Sequence, residues 1–83
     1  MNPTEIRRAV LQVLSNIAPE AANATLDDSQ LLREQLDLDS MDFLNFVIGL
    51  HRALHIDIPE TDYPKIQTMA DLTSYLAAKL DAA

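Results

Sequence analysis

The chain has 83 residues and no cysteine, and 13 acidic residues against 6 basic ones give it a net charge of −7. That length allows one core and a single domain, residues 1–83, and the missing cysteines exclude disulfides, thiolate metal sites and a cysteine nucleophile. The charge argues against nucleic acid and anionic lipid as partners and favours basic protein surfaces.

The first element is a helix. Asn2, Pro3 and Glu5 read as its N-cap, first helical position and reciprocal capping acid. Ile6, Val10, Val13, Leu14 and Ile17 follow a helical period, and Pro19 ends it. The same N-terminus lacks the basic and apolar regions of a signal peptide. No apolar run approaches the roughly 20 residues of a membrane span, so a cytoplasmic protein without membrane insertion is expected. Glu20 to Asp39 is a long connection with room for a helical turn around Ser29 to Gln35. Leu26, Leu32, Leu36 and Leu38 are spaced to pin it to the core. The sequon Asn23-Ala24-Thr25 has no role in a cytoplasmic protein.

The second main helix begins at Ser40, with Asp39 as N-cap and Asp42 at N3, and runs to about His55. Ile56-Asp57-Ile58-Pro59 reads as an extended link. Glu60 to Ile66 has room for one short helix, which Pro64 makes irregular by disfavouring the α conformation at Tyr63. A last helix opens with Thr68 as N-cap and Asp71 at N3, and Met69, Leu72, Tyr75, Leu76 and Leu80 form its apolar face. The expected fold is all-α, a small bundle of three main helices plus a short irregular one. The single glycine and four prolines agree with that.

The helix from Ser40 carries more apolar residues than one face needs. At about 100° per residue, Phe46, Val47, Leu50 and Leu54 cluster around Phe43 as a core stripe. Met41, Leu44 and Ile48 form a second stripe among Asn45, His51, Arg52 and His55. Either this is a central helix packed on two sides, or the second stripe is an exposed patch for a protein partner. Gly49 sits mid-helix at a cost of about 1 kcal/mol against alanine. It marks close packing, room for a guest, or a tolerated accident.

Ser40 stands between Asp39 and Asp42 in "LDLDSMDF". A catalytic nucleophile needs a base within reach, but His51 lies roughly 16 Å along the same helix and His55 farther. No nucleophile-elbow glycines are present. A calcium loop started at Asp37 fails as well, because its fifth, sixth and twelfth positions are Met41, Asp42 and Ile48. No enzyme site is therefore expected, and no metal site. Two readings remain. Serine is common in the first turn of a helix, and a hydroxyl at a helix N-terminus is also a favourable place for a phosphate.

The stretch "LDLDSMDFLNFVIGLHRALHIDIPETDYPKIQTMADLTSYLAAKL" resembles the acyl carrier proteins. It has the D-S-[LM] motif at the start of the second main helix, the "I-P" link, the "K-I-x-T" junction and a final amphipathic helix. The resemblance implies that Ser40 accepts 4′-phosphopantetheine from coenzyme A through a separate phosphopantetheinyl transferase. The arm's thiol then carries an acyl group as a thioester among loading and acyl-using enzymes, and the carrier itself catalyses nothing. It further implies a monomer that docks partners through Asp39, Met41, Asp42, Leu44, Asn45 and Ile48. Phe46, Val47, Leu50, Ile58, Ile66 and Met69 would line an acyl-sheltering interior.

Three departures stand out. Asp37 replaces the familiar glycine, so a different turn into the helix is expected. Asn45, His51, Arg52 and Ala53 replace the usual glutamates, and Pro64 interrupts the short helix. These point away from the housekeeping fatty-acid carrier and toward a specialised one in fatty-acid, polyketide or other acyl metabolism. An aminoacyl or peptidyl carrier, or an unmodified adaptor using the Met41/Leu44/Ile48 patch, are the alternatives. His51 and His55 read as surface histidines.

Overall fold

The computed structural model describes residues 2–22 and 25–81. Helix α1 (Pro3–Ile17) opens with the expected capping box behind Pro3: the Asn2 side chain accepts the Glu5 N–H at 2.8 Å, and Glu5 Oε1 accepts the Asn2 N–H at 3.3 Å. Ile6, Val10, Val13 and Leu14 are buried, and Ile17 is half-buried. After α1 comes a 3₁₀ turn, Pro19–Ala22, which no sequence pattern marks. The fixed φ of Pro19 suits the start of such a turn. Buried Ala18 and Ala21 hold it to the core, with the Ala21 N–H donating to the Ala18 carbonyl at 2.8 Å. Two residues of the Asn23-Ala24-Thr25 sequon lie outside the described residues.

The expected helical turn in the connection is α2 (Leu32–Gln35). Leu32, Leu36 and Leu38 are buried, and Leu26 packs against the same core. Helix α3 (Ser40–Leu54) follows and ends at His55, whose φ of 54° is left-handed and whose N–H donates to the His51 carbonyl at 2.9 Å. The His51 Nδ1–H donates to the Ile56 carbonyl, so that ring fastens the helix end to the link. The link Ile56–Pro59 is not helical, and Ile56 and Ile58 point into the core. Glu60–Lys65 forms a 3₁₀ helix with Pro64 inside it, the irregular element that proline dictates. Helix α4 (Met69–Asp81) starts where Thr68 Oγ1 accepts the Asp71 N–H at 3.1 Å.

The described residues thus form a small all-α bundle of three main helices and short helical pieces. One isolated backbone bridge, Leu31 to Thr68, ties the connection to the start of α4. One continuous apolar cluster joins all the elements. No helix among the described residues is long and apolar enough to cross a membrane.

α1 packs on both α3 and α4. Where it meets α3, a Cβ on Gly49 would lie 2.6 Å from Val13 Cγ1. Valine is stiff at χ1 and cannot swing that methyl away cheaply. Gly49 therefore answers a packing constraint, while also lining an α1–α3 groove with Asn16, Asn45 and Arg52. Gly49→Ala gains about 1 kcal/mol of helix propensity and loses about 1–3 kcal/mol to overpacking. The net expectation is destabilisation, read as a lower urea midpoint with an unchanged slope; an unchanged or higher midpoint would show that Val13 yields.

Candidate functional site

The approach to α3 is built by local hydrogen bonds. Asp27 Oδ1 accepts from the Ser29 backbone N–H at 2.9 Å and from its hydroxyl at 2.7 Å. These bonds, the hydroxyl's first, hold the Asp27 carboxyl below its ordinary pKa. Gln35 brackets the same loop. Its Oε1 accepts the Asp27 N–H at 2.8 Å, and its Nε2 donates to the carbonyls of Asp27 and Gln30 at 2.8 and 3.1 Å. The Leu32 N–H donates to the Gln67 carbonyl at 2.9 Å and the Ala70 N–H to the Asp28 carbonyl at 3.0 Å, which fixes the loop to α4. Arg7 pairs with Asp28 at 2.7 Å and fixes it to α1.

Asp37 sets the turn into α3. Its φ is 54°, in the left-handed region that glycine enters most cheaply. The chain enters that conformation with an aspartate, which visits the left-handed region more readily than most residues other than glycine. The next residue, Leu38, turns into the core while its N–H donates to the Arg33 carbonyl at 2.9 Å.

At the head of α3 the cap is Asp39. Its Oδ1 accepts the Asp42 N–H at 2.8 Å, and Asp42 Oδ2 accepts the Asp39 N–H at 3.3 Å. Ser40 is the first helical residue and is exposed. Its Oγ accepts one hydrogen bond, from Arg33 Nη2 at 3.4 Å. A cleft of about 330 Å³ opens beside it, lined by Arg33, Ser40, Phe43, Leu44, Tyr63 and Gln67. The Tyr63 ring meets Phe43 edge-on at 5.6 Å, and Phe43 meets Phe46 at 6.4 Å.

The two stripes of α3 separate cleanly. Phe43, Phe46, Val47 and Leu50 are buried, whereas Met41, Leu44 and Ile48 are 66%, 42% and 41% exposed. The second stripe is a surface strip, and two-sided packing of α3 is ruled out at these positions. Asn45, His51, Arg52 and His55 are exposed around it. The remaining interior candidates, Ile58, Ile66 and Met69, are buried with Phe46, Val47 and Leu50. None of these six lines the cleft beside Ser40, though Val47 and Ile58 reach a smaller one of about 200 Å³. Sequence reasoning missed Arg33, Tyr63 and Gln67 at the cleft and the exposed Leu31. No periodicity marks residues brought together from three separate segments.

The exposed Ser40 hydroxyl thus stands at a helix start, beside a cleft and an apolar strip. A family model described as a phosphopantetheine attachment site matches residues 5–76. An acyl carrier protein of Campylobacter curvus is 31% identical over 72 residues, 87% of each chain. One of Campylobacter hominis is 32% identical over 72 residues, covering 87% of this chain and 85% of its own. Another, of Helicobacter hepaticus, is 33% identical over 57 residues, 69% of this chain and 74% of its own. This chain belongs to the acyl carrier protein family. It is a carrier, not an enzyme, and its domain is one that takes 4′-phosphopantetheine covalently. The residues present suit such a group, since a phosphate at the exposed head of α3 meets a helix N-terminus, where backbone N–H groups and the dipole favour an anion.

One latch borders the carrier's cleft. The Tyr75 hydroxyl on α4 donates to Asp62 Oδ2 at 2.6 Å, holding the 3₁₀ segment that bears Tyr63. Burial, then the Asp62 carboxylate, pushes the Tyr75 phenol up from 10.0 to about 12. The same hydrogen bond is the main cause lowering Asp62 below its ordinary 3.8, with Lys65 assisting at 3.4 Å. Tyr75 thus adds stability that is full below pH 10.0 and is lost as pH rises through about 12. Asp62 adds stability present above pH 3.8 and lost as pH falls through its lowered value. Melting curves of Tyr75→Phe against pH should therefore be flatter than wild type at both extremes and lower in between; identical profiles would discount the latch.

Proposed function

We propose that Ser40 carries the 4′-phosphopantetheine, placed there from coenzyme A by a separate phosphopantetheinyl transferase. The observation behind this is the division between neighbours: Asp39 accepts the capping bond of α3, and the Ser40 hydroxyl is left exposed. In the transfer, a bond forms between Ser40 Oγ and phosphorus, and the pyrophosphate bond of coenzyme A breaks. Adenosine 3′,5′-bisphosphate leaves, and the hydroxyl proton passes to a base of the transferase. When bound, the group supplies a flexible arm whose thiol holds an acyl group as a thioester.

The carrier's own residues then bind and orient. Asp39 and Asp42 attract basic enzyme surfaces and raise the encounter rate. Met41, Leu44, Asn45 and Ile48 form the strip a partner covers, with Met41 adaptable enough to suit several partners. Phe46, Val47, Leu50, Ile58, Ile66 and Met69 form the interior that shelters an acyl chain. Holding cargo on a tether raises its effective concentration at each enzyme in turn. Within this reading the carrier works in the cytoplasm as a monomer, because a strip that meets successive partners has to stay open.

The pathway we infer is a specialised one for acyl or aminoacyl groups, separate from housekeeping fatty-acid synthesis. What supports it is the face of α3 beyond Asp42, where exposed Asn45, His51 and Arg52 offer neutral or basic chemistry in place of a row of acids. Partners of this carrier would depend less on a basic docking surface and more on apolar contact.

Coexpression with a broad-specificity transferase should add one phosphopantetheine mass to the wild type and none to Ser40→Ala; an unmodified wild type overturns the assignment. Leu44→Asp should raise the transferase KM about tenfold with the fold intact by circular dichroism, as loss of a central apolar contact does. An unchanged KM removes Leu44 from the docking strip.

A further inference from the structure

We propose that Arg33 holds the phosphate of the arm, as a positioning residue for the root of the prosthetic group; this rests on attachment at Ser40. Arg33 lies in α2, half-buried, where nothing in the α3 motif foreshadows it. Two contacts fix its guanidinium. Nη2 donates to Ser40 Oγ at 3.4 Å, and the guanidinium carbon sits 5.8 Å from the centroid of the Phe43 ring. The Arg33 carbonyl also accepts the Leu38 N–H at 2.9 Å, so the backbone that carries this side chain is tied to the approach of α3.

The charge environment makes this placement informative. The chain has 13 acidic residues, with Asp37, Asp39 and Asp42 close to Arg33 in sequence. Among the described residues, the ion pairs are Arg7 with Asp28 and Lys65 with Asp62, and Arg33 belongs to neither. Its cation is turned instead to a neutral hydroxyl, at a distance that makes a weak hydrogen bond. A phosphodiester on Ser40 would put anionic oxygens on a phosphorus bonded to the oxygen that Arg33 already addresses. Hydrogen bonds from arginine to phosphate are shorter and roughly twice as strong as neutral ones.

The need for such a cation is local. Asp39 and Asp42 supply the cap of α3 and repel a phosphate attached between them. The dipole of α3 offsets part of that repulsion, and Arg33 supplies a full opposing charge. Stacking on Phe43 orders the guanidinium in advance, so less freedom is lost when it engages the phosphate. The root of the arm is then biased toward the cleft shared by Arg33, Tyr63 and Gln67.

The test uses the full chain, modified by a broad-specificity transferase and confirmed by intact mass. Its readout is the ³¹P resonance of the arm's phosphodiester at low and high salt, in the wild type, Arg33→Gln and Arg33→Lys. Arg33→Gln should narrow the wild-type line, remove its salt response and lower the docked-to-free ratio of the phosphate about fivefold, the scale of a partly solvated charge-assisted contact. Arg33→Lys should recover part of the effect. As a check independent of any variant, the Arg33 guanidinium N–H signals of the wild type should shift between the unmodified and modified forms. Equal ³¹P behaviour in fully modified wild type and Arg33→Gln, or unmoved Arg33 signals, overturns the role of Arg33 and leaves Ser40 in place. A wild type that gains no mass overturns both.

Discussion

The first turn of a helix presents backbone N–H groups that have no acceptor within the helix. At the head of α3 part of that demand is met by Asp39 and Asp42, which accept each other's N–H groups at 2.8 and 3.3 Å. Had Ser40 been the cap, its oxygen would have faced back along the backbone. With the cap one residue earlier, Ser40 enters the helix proper and its hydroxyl is exposed. The same shift sets the phase of everything after it. Phe43 faces the core and Met41 faces solvent because the helix begins at Ser40, and a start one residue later would rotate the strip by about 100° relative to the approaching chain.

The rotation of α3 is held from the other side by its contact with α1. Gly49 brings the two backbones close enough that Val13 occupies the space a side chain would take. A helix fixed at its cap and at that contact has little freedom to roll. Phe43, Phe46, Val47 and Leu50 are therefore committed to the interior, and Met41, Leu44 and Ile48 have nowhere to go but outward. Their exposure follows from the constraints on the helix and is not slack in the packing. Loop order serves the same end: Gln35 and Asp27 stiffen the approach, so the cap of α3 arrives in one place.

Capping signals and periodicity made the main helices legible. Asn2-Pro3-Glu5, Asp39-Asp42 and Thr68-Asp71 each mark a helix start within three residues of sequence, and the structure places α1, α3 and α4 there. The second stripe of α3 could be read for the same reason, since it depends on position along a single helix, but its exposure could not, because two-sided packing fits the same pattern. The parts that escaped are made by distant residues. Gln35 reaches across eight residues to Asp27, and Arg33 reaches Ser40 and Phe43 through a loop whose path no local pattern specifies. The 3₁₀ turn at Pro19–Ala22 owes its form to the burial of Ala18 and Ala21, which is a tertiary fact. At Asp37 no local pattern foretold the left-handed backbone, which this chain adopts with a residue other than glycine.

The interior bears on the size of cargo that the proposed carrier would shelter. Tyr63 and Phe43 line the cleft at Ser40 and meet edge-on, and Phe43 meets the buried candidate Phe46 the same way, with the Tyr63 segment latched by Asp62 to Tyr75. A chain entering the core from that cleft between Tyr63 and Phe43 would part an aromatic pair, which holds about 0.5–1.5 kcal/mol beyond its burial. Each methylene taken from water to an apolar interior contributes about 0.8 kcal/mol. An acyl group of about two carbons therefore gains little more than that contact costs, before the latch is counted. Such a group is better left in the cleft, within reach of partner enzymes. Longer chains gain with every carbon while the cost of opening is met once, so the same gate favours their withdrawal into the core. In the proposed carrier the aromatic contacts beside Ser40 would thus sort cargo by length, with the root of the arm on the cleft side of them.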